Sequence, residues 1–357
     1  MSINATVTIK NGTYIASSEV ARGICVNRNK QLIVENATIE AKGQVGIGLV
    51  AANSKCDIIG GAVVKADYAV ASFGDGTTVN VENSQVVGTG CAIYHNGTNK
   101  NFTLGGNGAT IIAGTEEVSE SNNTATGIYV SGSATSESEY SNITLTGCTV
   151  KGGTAIEGKF VNLVLNDCNV TATATETSYN ANANGAATKG FAVAVTDNAT
   201  TGTPAPAGSI EITGNGVYNG IVGLGNLASV KETYNDFVDA SYAVSGGTFS
   251  SAIGEDYCAE GFIPTENEDG TFGVKVGKYV AQYTYKKVTY KFETLQEAIN
   301  AAVDYSSQIV LKALGDIEIT ETIAYAKTKS ASVLLNLGGY TLTAKGCTVI
   351  QVHKGNL

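Results

Sequence analysis

The sequence predicts an all-β solenoid in which short parallel strands stack coil upon coil, with one short capping α-helix near residues 294–303. Three observations carry this. An apolar, any, apolar, any run closed by Asn, Asp or Gly recurs along the chain. The 357 residues hold 43 Gly, 3 Pro and no Trp, which suits tight turns and a long, thin core better than a thick globular one. A capping box at Thr294 and Glu297 precedes apolar residues at helical spacing.

The recurring run appears as Val7-Thr8-Ile9-Lys10-Asn11, Leu32-Ile33-Val34-Glu35-Asn36, Cys56-Asp57-Ile58-Ile59-Gly60 and Val79-Asn80-Val81-Glu82-Asn83. It continues at Phe102-Thr103-Leu104, Ile143-Thr144-Leu145, Leu163-Val164-Leu165 and Ile210-Glu211-Ile212. Steps between the third residues are 25, 24, 23, 23, 41, 20 and 47, the mark of a solenoid with insertions. A second run sits between these strands, at Ile24, Ile47, Val70, Ile93, Ile128 and Val193, so each coil has at least two strands.

Period-two alternation turns Val7 and Ile9 and their counterparts inward and Thr8, Glu35 and Asn80 outward. The Asn or Gly that closes the run can adopt a left-handed conformation cheaply, which lets the chain bend into the next face. One coil cannot bury its own apolar face, but stacked coils share a continuous core. Ile9, Val34, Val81, Leu104, Leu145, Leu165 and Ile212 are expected to form one inward stack.

The domain reading follows. Residues 1–250 form the solenoid, with inserted loops at 114–141, rich in Glu116, Glu117, Glu120, Glu137 and Glu139, and at 172–208. The period fades after about residue 230. Residues 251–290 make a terminal hairpin, with an Asp269-Gly270 turn, and a linker. Residues 291–357 place a capped helix and the first coils of a following stack, or a donated segment, at the end of the chain. A capped beginning stands last, and an uncapped coil at 6–14 stands first. Val7, Ile9, Leu295, Ile299, Val349 and Val352 are therefore the expected assembly residues, joining copies or neighbouring units head to tail.

The net charge of −10 and pI near 4.8 argue against nucleic acid and anionic membranes, which ask for basic patches. No apolar run approaches membrane-spanning length, and residues 1–4 enter a strand pattern without a signal-peptide core, so the chain is expected to be either a cytoplasmic protein or, the favoured reading, a piece of a longer one at the cell surface or outside the cell. Seven cysteines with no CxxC pair suggest neither a zinc site nor a closed disulfide framework. Cys148 and Cys168 fall in the same slot of successive coils and are expected to stack as inward thiols.

The coil pattern over residues 1–250 and 305–357 resembles the right-handed parallel β-helix of the pectin-lyase-like superfamily. The runs Gly246-Gly247-Thr248-Phe249-Ser250, Asp269-Gly270-Thr271-Phe272, Phe292-Glu293-Thr294-Leu295-Gln296-Glu297 and Leu335-Asn336-Leu337-Gly338-Gly339-Tyr340 resemble unit boundaries in repetitive surface proteins of anaerobic gut bacteria. The resemblance implies a modular, surface-exposed protein and supplies no activity, since one scaffold serves lyases, hydrolases, phage tailspikes and adhesins.

Chemistry-bearing residues are sparse. A polysaccharide lyase needs a basic residue and carboxylates for calcium, and Arg22, Arg28 and Lys30 stand close in sequence, though exposed turn residues explain them as well. A glycosidase needs two carboxylates on one groove, and Asp57, Asp67, Asp75 and Glu82 are simply acids at outward positions. His95 and His353 lack partner spacing for a metal, triad or relay, and both are expected at the surface. Asn-x-Ser/Thr at Asn11, Asn96 and Asn142 is expected by chance in a chain so rich in Asn and Thr. The expectation is a non-catalytic structural or adhesive unit of a bacterial surface or extracellular assembly, with no catalytic residue, metal or cofactor. Its partners are other copies or neighbouring units, with carbohydrate or a host surface beside them. A carbohydrate-active enzyme and a phage tail-fibre segment are the alternatives.

Overall fold

The computed structural model describes residues 1–17, 22–95, 99–114, 124–132, 134, 136–180, 186–196, 207–227, 240–326 and 332–354. It is predominantly β, with one α-helix and long parallel sheets, and so belongs to the all-β class. The chain forms two compact units, Met1–Glu260 with Pro264–Lys275, and Gly261–Ile263 with Val276–Leu357.

In the first unit a nine-stranded parallel sheet runs through Thr6–Lys10, Gln31–Glu35, Lys55–Ile59, Thr78–Glu82, Thr103–Asn107, Ser141–Thr146, Val161–Asn166, Gly208–Thr213 and Ser241–Val244. Strand pairing lines up Ile9, Val34, Ile58, Val81, Gly106, Leu145, Leu165, Ile212 and Val244 as one column. A neighbouring column holds Val7, Leu32, Cys56, Val79, Leu104, Ile143, Leu163 and Ile210. Leu104 is thus one column away from the stack expected for it. The strand at Thr103–Asn107 starts two residues later than the apolar template suggests, and Gly106 takes the inward position. A Cβ on Gly106 would stand 2.6 Å from Leu145 Cδ2 and 3.1 Å from Cys148 Sγ, so Leu145 occupies the space that the glycine leaves.

The corner that closes each of these strands is left-handed. Asn11, Asn36, Asn83 and Asp167 have φ of 53°, 47°, 45° and 53°, and Gly60, Gly108, Gly147 and Gly214 have 66°, 58°, 59° and 75°. These residue types tolerate that region because glycine has no Cβ and Asn or Asp can bond locally. Asn36 Nδ2 donates to Asn11 Oδ1 at 2.9 Å, linking successive corners.

Each rung carries three strands. Beyond the corner lies a second layer, beginning Thr13–Ala16 and Thr38–Ala41, and then a third, beginning Ser2–Ile3, Ile24–Val26 and Val45–Leu49. In two rungs the second and third strands fuse into the bent strands Val63–Ser72 and Gln85–His95. The interior between the layers is apolar from Ile3 to Tyr257. The two inserted stretches keep a rung strand inside them, Thr126–Val130 and Phe191–Thr196, with the added residues on either side. Glu116, Glu117 and Glu120 lie outside the described residues. The period persists beyond residue 230: Ser241–Val244 is the ninth strand of its sheet, and Phe272 then pairs antiparallel with Phe249.

The second unit opens with the antiparallel hairpin Ala281–Tyr285 and Val288–Phe292. The helix α1, Leu295–Ala302, follows. Its capping box is complete: Glu297 N donates to Thr294 Oγ1 at 3.2 Å and Thr294 N to Glu297 Oε2 at 3.1 Å. Leu295, Ala298, Ile299 and Ala302 are buried in one core with Ile309, Leu311, Ile323 and Tyr325. Two rungs stack here, Ile309–Ala313, Ile317–Ile319 and Ile323–Ala326 pairing in parallel with Val333–Asn336, Leu342–Ala344 and Ile350–Lys354.

Candidate functional site

Among the described residues, Thr6–Lys10 pairs only with Gln31–Glu35, Thr13–Ala16 only with Thr38–Ala41, and Ser2–Ile3 only with Ile24–Val26. All three layers therefore end there on a free strand edge. Val7, Ile9 and Tyr14 are half-buried at that end of the core, and Ile15 is 58% exposed. In the second unit the rung of Val333–Asn336, Leu342–Ala344 and Ile350–Lys354 likewise has partners on one side. Val349 and Val352 are exposed, and Leu335, Leu342 and Ile350 are half-buried against the core. Leu295 and Ile299 are each only 2% exposed. They anchor α1 inside its own unit, which leaves Val7, Ile9, Val349 and Val352 as the expected assembly residues with surface to offer.

The residues considered for catalysis are scattered. Arg22 is exposed with its guanidinium 4.5 Å from the centre of the Phe73 ring. Arg28 sits in an exposed turn and Lys30 is half-buried beside it. Asp57 accepts from Gln31 Nε2 and pairs across the sheet with Ile33 and Asn80. Asp67 accepts from Thr89 Oγ1 at 2.7 Å and Asp75 from the Lys100 amide at 2.8 Å, while Glu82 is exposed at a strand end. Among the described residues no group of three His, Cys, Asp or Glu side chains is placed to hold a metal ion. Cys148 and Cys168 are free, buried and stacked one rung apart.

His95 is not at the surface. It is fully buried, stacked 4.6 Å from Phe102, with Nδ1 2.9 Å from Ser72 Oγ. Burial lowers its pKa to about 4, against the opposing pull of the Asn99 backbone and Asp75. The strand Gln85–His95 continues to its last residue in alternation, so His95 faces inward two places after the buried Ile93. The His353 side chain lies outside the described residues.

The outward face of the third layer has a lining of its own. Register places Ala71, Tyr94, Tyr129 and Glu157 in one row and Tyr68, Cys91, Thr126 and Thr154 in the next. Tyr94 stacks on Tyr129 at 5.6 Å and meets Tyr68 edge-on at 5.3 Å. These rings, with Gly90, Cys91, Thr124, Thr126 and Ala186, line a cleft of about 250 Å³. Glu157 and Lys159 are fully buried beside it, and the Lys159 Nζ lies 5.8 Å from the Tyr129 ring centre. Glu157 Oε1 accepts from the Ala187 amide at 2.7 Å and Oε2 from the Thr188 amide at 3.0 Å, with the Thr188 hydroxyl as a third donor. Burial nevertheless raises the Glu157 pKa, because three hydrogen bonds and Lys159 only partly replace water.

The cleft leaves no motif in the sequence, because its residues come from three rungs and both insertions. The one available signal was aromatic residues repeating one place after the inward Ile, at Ile93-Tyr94 and Ile128-Tyr129. Compared with protein-family models, curated proteins and solved structures, the chain matched none.

Proposed function

We propose that the chain is a right-handed parallel β-helix that serves as a non-catalytic structural or adhesive unit of a bacterial cell-surface or extracellular assembly, adding rungs end to end. One observation carries the reading: among the described residues both stacks present a three-layered rung paired on one side only, over a half-buried apolar end. Such edges are templates for further strands, and apolar ends gain by being covered. The rungs also have a common size. Val7 to Leu32 spans 25 residues in the first unit, and Ile309 to Val333 spans 24 in the second. The rung of 333–354 in one copy then receives the rung of 2–16 in the next, with Val349 and Val352 on one side and Val7 and Ile9 on the other. Different surfaces meet in this contact, so it propagates as a filament unless its rotation closes a ring.

Sedimentation velocity and electron microscopy of the whole chain test this. Growth into linear particles with concentration is expected, together with its loss in the Val7→Lys, Ile9→Lys double variant while the circular dichroism stays β-rich. A strictly monomeric chain at high concentration, with the amides of 6–14 well protected from hydrogen exchange, overturns it.

A further inference from the structure

Independently of end-to-end stacking, we infer that the tyrosine cleft on the outward face of the third layer is a binding site for a neutral sugar ring, one residue of an uncharged glycan. The cleft is built rather than incidental. Its floor is fixed by strand register, and Tyr94 and Tyr129 lie nearly parallel, 17° apart, with Tyr68 at 84° to Tyr94. The walls come from the two insertions, Thr124 from one and Ala186 from the other. The second wall is held from behind, because the amides that follow Ala186 bond to the buried Glu157.

The chemistry of the lining selects the ligand. The rings of Tyr68 and Tyr94 offer an apolar surface to the C–H face of a pyranose, and the hydroxyls of Tyr68, Tyr94 and Thr124 can donate to and accept from its ring hydroxyls. Tyr68 and Tyr94 both have raised pKa values, through burial first and neighbouring groups second, so they stay protonated and keep both roles. None of the described lining residues is charged, and the chain carries a net −10, which disfavours uronic acids and sulfated sugars. A cleft of about 250 Å³ lies below the roughly 300 Å³ at which drug-sized ligand pockets begin, and suits one ring of a longer chain. Turnover is not implied. Neither Glu157 nor Asp67 is among the described lining residues, so the cleft presents no pair of carboxylates to a glycosidic bond.

The test is saturation-transfer NMR on the whole protein with the methyl glycosides of glucose, galactose, mannose and N-acetylglucosamine. Galacturonate and a Phe-Pro peptide serve as comparators. At least one neutral glycoside is expected to receive saturation. Its affinity should fall about tenfold or more in Tyr94→Ala, as expected when a stacking ring is lost, and stay unchanged in Tyr290→Ala, at a tyrosine that does not line the cleft. Thr124→Trp fills the cleft from an exposed position without disturbing the core, and it should abolish binding while leaving the fold intact. The inference is overturned if no neutral glycoside binds, if galacturonate or the peptide is preferred, or if binding survives Thr124→Trp.

Discussion

The inward columns of the nine-stranded sheet and the outward face of the third layer are drawn from the same rungs, yet they make opposite interiors. The first is aliphatic: Leu32, Val34, Ile58, Ile143, Leu145 and Leu165 are each fully buried with no polar neighbour in their columns. The second buries Tyr129, Thr126, Thr154, Glu157, Lys159 and Thr196 beneath added chain. Stacking alone produces the first interior, since each rung covers the one before it. The second has inserted chain, at Ala187 and Thr188, bonded over a surface that would otherwise face water. Its polar groups must then find partners, as Glu157 does in Ala187 and Thr188. A rung scaffold thus acquires a specific, chemically varied interior by covering its outside rather than by altering its core.

The largest test of this contrast is Leu145→Asp. It places a carboxylate in the aliphatic column between Gly106 and Leu165, neither of which has a side-chain donor to offer. The cost should exceed the roughly 2 to 5 kcal/mol of a simple cavity and leave no soluble folded protein, with circular dichroism and solubility as the readout. A folded variant would show that the column does not face inward.

His95 comes next, as the titratable group buried against Phe102 and Ser72. Its folded pKa of about 4 lies below the ordinary 6.5, so between those values the unfolded chain binds a proton that the folded one refuses. Stability should therefore rise as pH increases from 4 to 6.5, by ~3 kcal/mol at most, the shift converted at 1.36 kcal/mol per unit. Denaturant titrations across that window should show the slope, and His95→Phe, which retains a ring against Phe102, should remove it. An unchanged slope in the variant would mean that His95 is solvated.

A smaller effect is expected at Gly106→Val, which adds volume where Leu145 and Cys148 already sit. Overpacking there should cost roughly 1 to 3 kcal/mol, and Leu145→Ala in the same chain should recover part of it. If Gly106→Val is neutral, the register is the one expected from Phe102-Thr103-Leu104 instead. This position also marks the limit of what was legible. Alternation and the closing Asn or Gly placed seven of the inward strands in register, because burial and the left-handed corner both act on neighbouring residues. At Gly106 an absent side chain is compensated by Leu145, 39 residues on, and only the Asn107-Gly108 turn hinted at the shift. The second strand of each rung escaped notice for a related reason. Strands such as Thr13–Ala16 are short and partly exposed, so they give little alternation to read. The cleft was less legible still, since Tyr68, Tyr94 and Tyr129 become neighbours through rung stacking, and Thr124 and Ala186 through loop placement.

The smallest effect, and the one that addresses the covered outer face directly, is Glu157→Gln. The amide can accept from one of the two backbone N–H groups but presents its own N–H₂ to the other, so one buried donor loses its partner, at about 1 to 3 kcal/mol locally. Because that bond holds inserted chain rather than a rung, the loss should appear as faster hydrogen exchange at Ala187 and Thr188 while the inward columns keep their protection. The pH dependence gives a second, signed readout. The folded pKa of Glu157 is raised above the ordinary 4.5, so as pH climbs through 4.5 the unfolded wild type releases a proton that the folded form still holds, and the wild type loses stability. Glutamine has no such proton. Its disadvantage should therefore be greatest below pH 4.5 and shrink as pH rises, opposite in sign to the His95 slope. A disadvantage that grows with pH would mean that the ionised carboxylate, not the buried acid, is the form that the cover prefers. Exchange that accelerates equally in the inward columns would mean that the outer and inner interiors are one cooperative body.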